Sequence, residues 1–344
     1  MDQLPAPATL PAAATTRRVL WCVLAAALLL VAFALSLMTG AKPIPPGLVF
    51  SALGGNGEQN EVYLVLQSRL PRAVLGVVVG MALGVAGALI QAFTRNPLAD
   101  PGILGVNAGA AFAVTLGVAF LGVSSIHGYL WFAFAGAGAV TVVVYLLGTA
   151  GRGGISPLQL TLVGVAVAAL LGGITSGIMI SFPAAFDQMR DWGAGTISGR
   201  DWPILLAVLP FIVIALVLAL IAAPTLNAVA LGDELAQSLG ARVVRTRALV
   251  IIAVTLLAGA ATAAAGPIGF VGLMVPHVCR WLLGPDQRWI LALTLVAAPL
   301  LVTVSDVLGR VIIAPQELQV GIVTALFGAP VLVILARRAK ISGL

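Results

Sequence analysis

Long apolar runs, separated by short clusters of Pro, Gly, Asn and charged residues, lie at approximately 19–39, 73–93, 103–122, 129–149, 158–181, 204–223, 248–266, 268–283, 290–309 and 319–336. A bilayer core about 30 Å thick is crossed by about 20 helical residues rising 1.5 Å each, so the pattern predicts about ten transmembrane helices. The least distinct boundary is at Gly266-Pro267. An even number of crossings puts both termini on one side. The expectation is a flexible segment over 1–18 and one all-α polytopic membrane domain over 19–344.

Composition agrees, with 60% apolar and 9% charged residues, against about 25% charged in soluble domains. The net charge of +6 comes from residues scattered at the ends of apolar runs, with no basic stripe for nucleic acid. Arg17 and Arg18 precede the run Val19 to Met38, 20 residues long and too long for a signal peptide, whose apolar region holds about 7 to 15. It reads as an uncleaved first span. Cys22 and Cys279 both fall inside apolar runs, which argues against a disulfide framework or a cysteine metal cluster.

Charge also sets the orientation, because cytoplasmic loops hold the excess of Arg and Lys. One set of alternate loops holds Arg17, Arg18, Arg95, Arg152, Arg242, Arg245, Arg247, Arg280, Arg288, Arg337, Arg338 and Lys340. The other holds Lys42, Arg69, Arg72, Arg190, Arg200 and Arg310; twelve against six accounts for all 18 basic residues. Both termini are therefore expected in the cytoplasm.

Gly76, Gly80 and Gly84 recur at the spacing that lets membrane helices approach closely. Packing is the plainer reading, and a pore lined by glycine backbone the alternative. Two loops are long. Phe182 to Pro203, on the outer side, carries Trp192 and Trp202 and suits an element anchored at headgroup depth. Thr225 to Arg247, on the inner side, predicts a short amphipathic helix, with Asp233 and Glu234 near its start and Gly240 at its end.

Missing motifs remove other functions. A P-loop ends in Gly-Lys-Ser/Thr, but Lys42 follows Ala41 and Lys340 precedes Ile341. ATP hydrolysis would have to occur on a partner. An ion-coupled secondary carrier usually buries carboxylates near mid-membrane, whereas Asp100 sits in a Pro-rich break and Asp306 near an outer helix end. Gly154-Ile155-Ser156 and Gly122-Val123-Ser124 match only a bare Gly-x-Ser, and His127 and His277 sit in an outer loop and after Pro276, so an intramembrane serine protease is poorly supported. His277 reads as a polar group packed near an inner helix end.

The segment from Thr94 through Arg95-Asn96-Pro97-Leu98-Ala99-Asp100-Pro101-Gly102 to Ala110 resembles the inner-loop signature of iron-siderophore, haem and cobalamin ABC importer permeases. Arg69-Leu70-Pro71-Arg72, Leu231-Gly232 with Leu239-Gly240, Gly266-Pro267-Ile268-Gly269-Phe270-Val271-Gly272-Leu273 with Pro276-His277, and Gly328-Ala329-Pro330 follow in family order. The wording is most similar to permeases for ferric enterobactin. The resemblance implies a type II ABC importer permease fold with ten helices and no bound cofactor or metal. It further implies a second permease subunit (a hetero-dimer favoured over a homo-dimer), two cytoplasmic ATPases that bind ATP and Mg, and an external or periplasmic binding protein. The expected place is the bacterial inner membrane. Catecholate siderophore is the first choice of cargo, then hydroxamate siderophore, haem or cobalamin.

Site roles follow from the same resemblance. Arg69, Arg72 and Arg310 correspond to arginines that receive acidic residues of the binding protein, although each could be a plain interfacial anchor and Arg310 reads equally well as one. If Arg69-x-x-Arg72 is helical, its two guanidinium groups lie about one turn apart, where carboxylates of a partner can reach both. An inner helix over Val229–Arg242, with Leu231, Gly232, Asp233, Glu234, Ala236, Leu239, Gly240, Ala241 and Arg242, corresponds to the coupling helix that seats in an ATPase. Asn96, Pro97 and Leu98, with Ser156 and Pro157, correspond to the constriction at the cytoplasmic mouth. Here Ser156-Pro157 stands where some relatives carry Ser-Thr.

Overall fold

The computed structural model describes residues 12–149 and 157–339. The chain runs α1 (Ala12–Met38), α2 (Pro46–Leu53), α3 (Gln59–Tyr63), a π-helical turn (Leu64–Arg69), α4 (Leu70–Thr94), α5 (Val106–Leu121), α6 (Ile126–Thr149) and α7 (Pro157–Ser181). It continues through α8 (Pro183–Gly193), α9 (Trp202–Val229), α10 (Asp233–Ser238), α11 (Val243–Ala265), α12 (Val271–Leu283), α13 (Gln287–Ile312) and α14 (Val320–Ala339). Among the described residues, seven helices are long and apolar enough to cross a bilayer, and α5, α12 and α14 supply three shorter apolar ones. Together they answer to the ten apolar runs.

The bundle is centred on α4 and α11, whose most apolar windows are 78% and 72% buried, while those of α1 and α7 are only 11% buried. Close approach to α4 depends on its glycines. A Cβ at Gly80 would lie 2.5 Å from Pro299 Cα, and one at Gly84 2.3 Å from Ala298 Cβ, so α13 packs directly on the α4 backbone. The Gly-x3-Gly spacing is a packing device here.

Three of the elements around the spans differ from the sequence expectation, two of them for identifiable reasons. α1 begins at Ala12, ahead of the run at 19. The π-helical turn precedes Pro71, which has no N–H to give the Gln67 carbonyl and whose ring crowds that carbonyl; a wider turn relieves both. α12 starts at Val271 instead of 268 and is about 20 Å long at 1.5 Å per residue. The non-helical stretch before it is tolerated because protein covers it: a Cβ on Gly266 would lie 2.0 Å from the Trp192 carbonyl oxygen, and Phe270 fills the space beside Gly328.

Hydrogen bonds gather alternate loops at opposite ends of the bundle. At one end Thr196 N–H donates to the Ala265 carbonyl (2.7 Å) and Gly321 N–H to that of Gly195 (2.9 Å). At the other, Asn227 Nδ2 donates to Asp286 (2.9 Å) and Arg18 Nε to the Leu283 carbonyl (3.1 Å). These are the ends that the charge count names outer and inner. The tryptophans of the segment 182–203 are engaged by the protein itself: Trp192 is 2% exposed and Trp202 Nε1 donates to the Leu66 carbonyl (3.0 Å). α8 folds over the outer end, its Ala185, Met189 and Trp192 turned into the core.

Candidate functional site

At the outer end, helix termini dictate where the arginines go. The last carbonyls of a helix have no partner within it and carry its partial negative charge, and next to a membrane they need a donor from the protein. Arg69 Nη1 donates to the Leu37 and Met38 carbonyls (2.8 and 3.0 Å), and Nη2 to that of Lys42. Arg310 Nη1 donates to the Ser36 and Thr39 carbonyls (2.8 and 3.1 Å), while Nη2 meets Ser36 Oγ (3.0 Å) and Asp306. Both guanidinium groups close the end of α1, and each residue is only 5% exposed. Arg200 does the same for α11, through Nε to the Ala264 carbonyl (2.7 Å). Burial, outweighing the charge of Asp201, lowers the pKa of Arg200 to about 10.

Arg72 has a different task. Nη2 and Nε meet Asp306 Oδ1 (2.7 and 3.1 Å), and Nη1 meets Glu317 Oε2 (2.8 Å) and Ser198 Oγ (3.2 Å). It thereby ties α4 to α13, to the loop before α14 and to the loop before α9. Burial raises the pKa of Glu317, but the charge and hydrogen bonds of Arg72 and the Ser198 hydroxyl outweigh that and lower it overall. The carboxylates that Arg69-x-x-Arg72 was expected to meet on a partner are therefore, for Arg72, the chain's own. Arg69 and Arg310 are turned inward and do not present free guanidinium groups. Ser36, Asp306 and Glu317 were not identified from sequence as members of this cluster, although Asp306-x3-Arg310 is a visible i,i+4 pair on a helix. Beside it opens a cleft of about 460 Å³ lined by Tyr129, Gln188, Trp192, Ser198, Arg200 and Glu317.

The inner end holds the other two groups of residues. The expected helix over Val229–Arg242 is shorter, Asp233–Ser238, because Gly232 (φ +115) and Gly240 (φ +80) adopt conformations that L side chains rarely accept. α9 occupies the chain as far as Val229, continuing past Pro224. Ala236 is fully buried, in a small cluster with Val229 and Val243, so it packs α10 down. Leu231, Leu235 and Leu239 face away at 62%, 58% and 66% exposure. Leu239 N–H donates to the Leu235 carbonyl (3.1 Å), so these two lie one turn apart, while Leu231 precedes the break at Gly232; all three leave apolar surface exposed around α10, and Leu235 was not singled out from sequence. Glu234 and Arg242 are exposed and Ala241 is half-buried. Beside α10, Asn96 and Pro97 are exposed and Leu98 is half-buried. Leu98 N–H donates to Asn96 Oδ1 (3.0 Å), which makes this a self-bonded turn. Ser156 lies outside the described residues, and Pro157 is described only as the first residue of α7. His277 sits against the Pro97 carbonyl, at an inner position as expected.

A model of the FecCD transport family matches residues 28–338. The chain is 49% identical over 316 residues to the ferric enterobactin transport system permease protein FepD of Escherichia coli (strain K12), covering 92% of this chain and 94% of that protein. It is 36% identical over 288 residues to the hemin transport system permease protein HmuU of Yersinia pestis, covering 82% and 86%. A solved inward-facing structure, described as a metal-chelate type ABC transporter, superposes with a TM-score of 0.81 at 26% identity, covering 92% of this chain and 98% of that one.

Proposed function

We propose a ferric catecholate siderophore as the cargo of this chain, which belongs to the FecCD transport family and is a multi-pass membrane permease of an ABC importer. The observation that carries the cargo is the 49% identity over nearly the whole length to a ferric enterobactin permease, against 36% to a hemin permease. Its partners would be a second permease subunit, distinct but similar, two ATPases that bind ATP and Mg, and a binding protein outside. The basic end is assigned to the cytoplasm of a bacterium, with both termini there.

ATPase contact is assigned to α10 and its flanks. Three leucines on and beside α10, Leu231, Leu235 and Leu239, are left exposed by the described residues at the charged end, and a groove on a partner would bury them. Binding-protein docking is assigned to the outer face. With Arg69 and Arg310 committed to α1, Arg72 (11% exposed) and the Glu317 it holds (32%) are the members of that cluster nearest to a partner. Asn96, Pro97 and Leu98, with Ser156 and Pro157, are assigned to the cytoplasmic constriction. ATP binding on the partners would shift α10 and change which mouth is open, through contacts that differ between the two states.

Uptake in a strain deleted for this chain tests the cargo. Restoring the gene should restore radio-iron uptake from ferric enterobactin, with much smaller effects on a hydroxamate chelate, haem or cobalamin. Restoration of haem uptake alone would reassign the cargo to haem.

A further inference from the structure

We propose that Arg95 is a positioning residue that carries movement of α10 to the turn Asn96–Leu98, through its salt bridge to Asp233. The inference rests on α10 being the ATPase contact. Arg95 ends α4 in the left-handed conformation (φ 52, ψ 27), where glycine is the favoured residue and a Cβ is a burden. Its side chain spans two elements from there. Nε donates to the Val229 carbonyl at the end of α9 (3.0 Å), and Nη2 meets Asp233 Oδ1 at the start of α10. Arg247 of α11 takes Asp233 Oδ2 (2.6 Å), so both carboxylate oxygens are held.

The two bodies that Arg95 joins differ in stiffness. The turn after Arg95 moves as one piece: Ala99 N–H bonds to the Asn96 carbonyl (3.1 Å), Leu98 N–H to Asn96 Oδ1, and Gly102 N–H to Asp100 Oδ1 (2.8 Å), between Pro97 and Pro101. By contrast, Ala236 is the one residue of α10 that is buried, and Leu235, with Leu231 and Leu239 at its flanks, is exposed. A helix seated so lightly follows whatever grips its exposed side. Asp233 is then the polar handle by which α10 pulls on Arg95, whose next residue is Asn96. With Arg95 and Asp233 41% and 36% exposed, the pair adds little to stability, so its loss should leave the fold intact and change only transmission.

The test uses the full importer in liposomes, with ferric enterobactin as probe, or haem where the wild-type complex takes only that. The readout is chelate imported per ATP hydrolysed. Arg95→Gly keeps the left-handed turn while removing the guanidinium, and Asp233→Asn keeps the shape while removing the charge. Each should lower the ratio about tenfold, within the roughly 5- to 150-fold typical of coupled sites, with ATP hydrolysis retained. The losses in the double variant should fall well short of multiplying, because both changes break the Arg95–Asp233 link, even though Asp233→Asn also weakens the contact with Arg247 and Arg95→Gly the one with the Val229 carbonyl. Arg95→Lys should recover part of the loss, having the charge but one head to reach both partners. A wild-type ratio in Arg95→Gly, or losses that multiply in the double variant, overturns the proposal. Gly232→Trp with Gly240→Trp separates this from the premise. If that variant still imports at the wild-type rate, α10 is not the ATPase contact and the inference falls with it; if it uncouples while Arg95→Gly does not, only the salt-bridge link falls.

Discussion

Asp306→Ala should destabilise the permease by about 3–5 kcal/mol, the cost of removing one partner from a buried ion pair and leaving the other charged. Asp306 is 1% exposed and lies between Arg72 and Arg310, so its loss strands positive charge at the outer end of the membrane domain. Arg310 would still hold the carbonyls at the end of α1, but would lose the carboxylate it is bonded to, with only Glu317 left as a nearby anion. The thermal midpoint of the purified protein in detergent measures the effect. Glu58→Ala, an exposed carboxylate at the start of α3, should stay within about 0.5 kcal/mol of wild type. Equal midpoints for the two variants would mean that the outer cluster does not hold the bundle together.

Gly87→Val should prevent α4 and α12 from packing at all. A Cβ on Gly87 would lie 1.8 Å from the Gly272 carbonyl oxygen and 2.4 Å from its carbon, and no side chain stands there to rotate away. Ordinary overpacking costs about 1–3 kcal/mol because neighbours give way, but backbone against backbone cannot. The expected result is loss of folded protein from the membrane fraction. Gly138→Val on α6, where nothing lies within 4 Å, should accumulate normally. Normal accumulation of Gly87→Val would show that α12 does not lie this close to α4.

Most of the architecture was legible from hydropathy, because the bilayer demands apolar runs of a fixed length wherever they fold. Each of the ten runs has its helix. What hydropathy could not give was the fate of polar groups, which depends on which helix ends meet. Arg69, Arg200 and Arg310 sit on the face where arginine is scarce; for Arg69 and Arg310 sequence offered a partner or the lipid interface as reasons, and for Arg200 none. The helix termini of α1 and α11 were the missing reason, since those carbonyls lie far away in sequence: Arg310 and Ser36 are 274 positions apart. Arg18 and Arg95 do the same for α12 and α9 at the other end. The extent of α10 was hidden for a local reason. Glycine was read as a helix end at Gly240, but Gly232 at φ +115 also removes the first part of the expected helix. Leu235 was within reach, one turn before Leu239.

Import by a complete complex reconstituted in liposomes tests the central assignment most directly. This chain, its partner permease, the two ATPases and the loaded binding protein should accumulate ferric chelate only when ATP reaches the face that carries Arg95 and α10. Accumulation should stop when the ATPases are omitted. Uptake that persists without any ATPase, driven by a proton or sodium gradient, would contradict the assignment and make the protein an ion-coupled carrier.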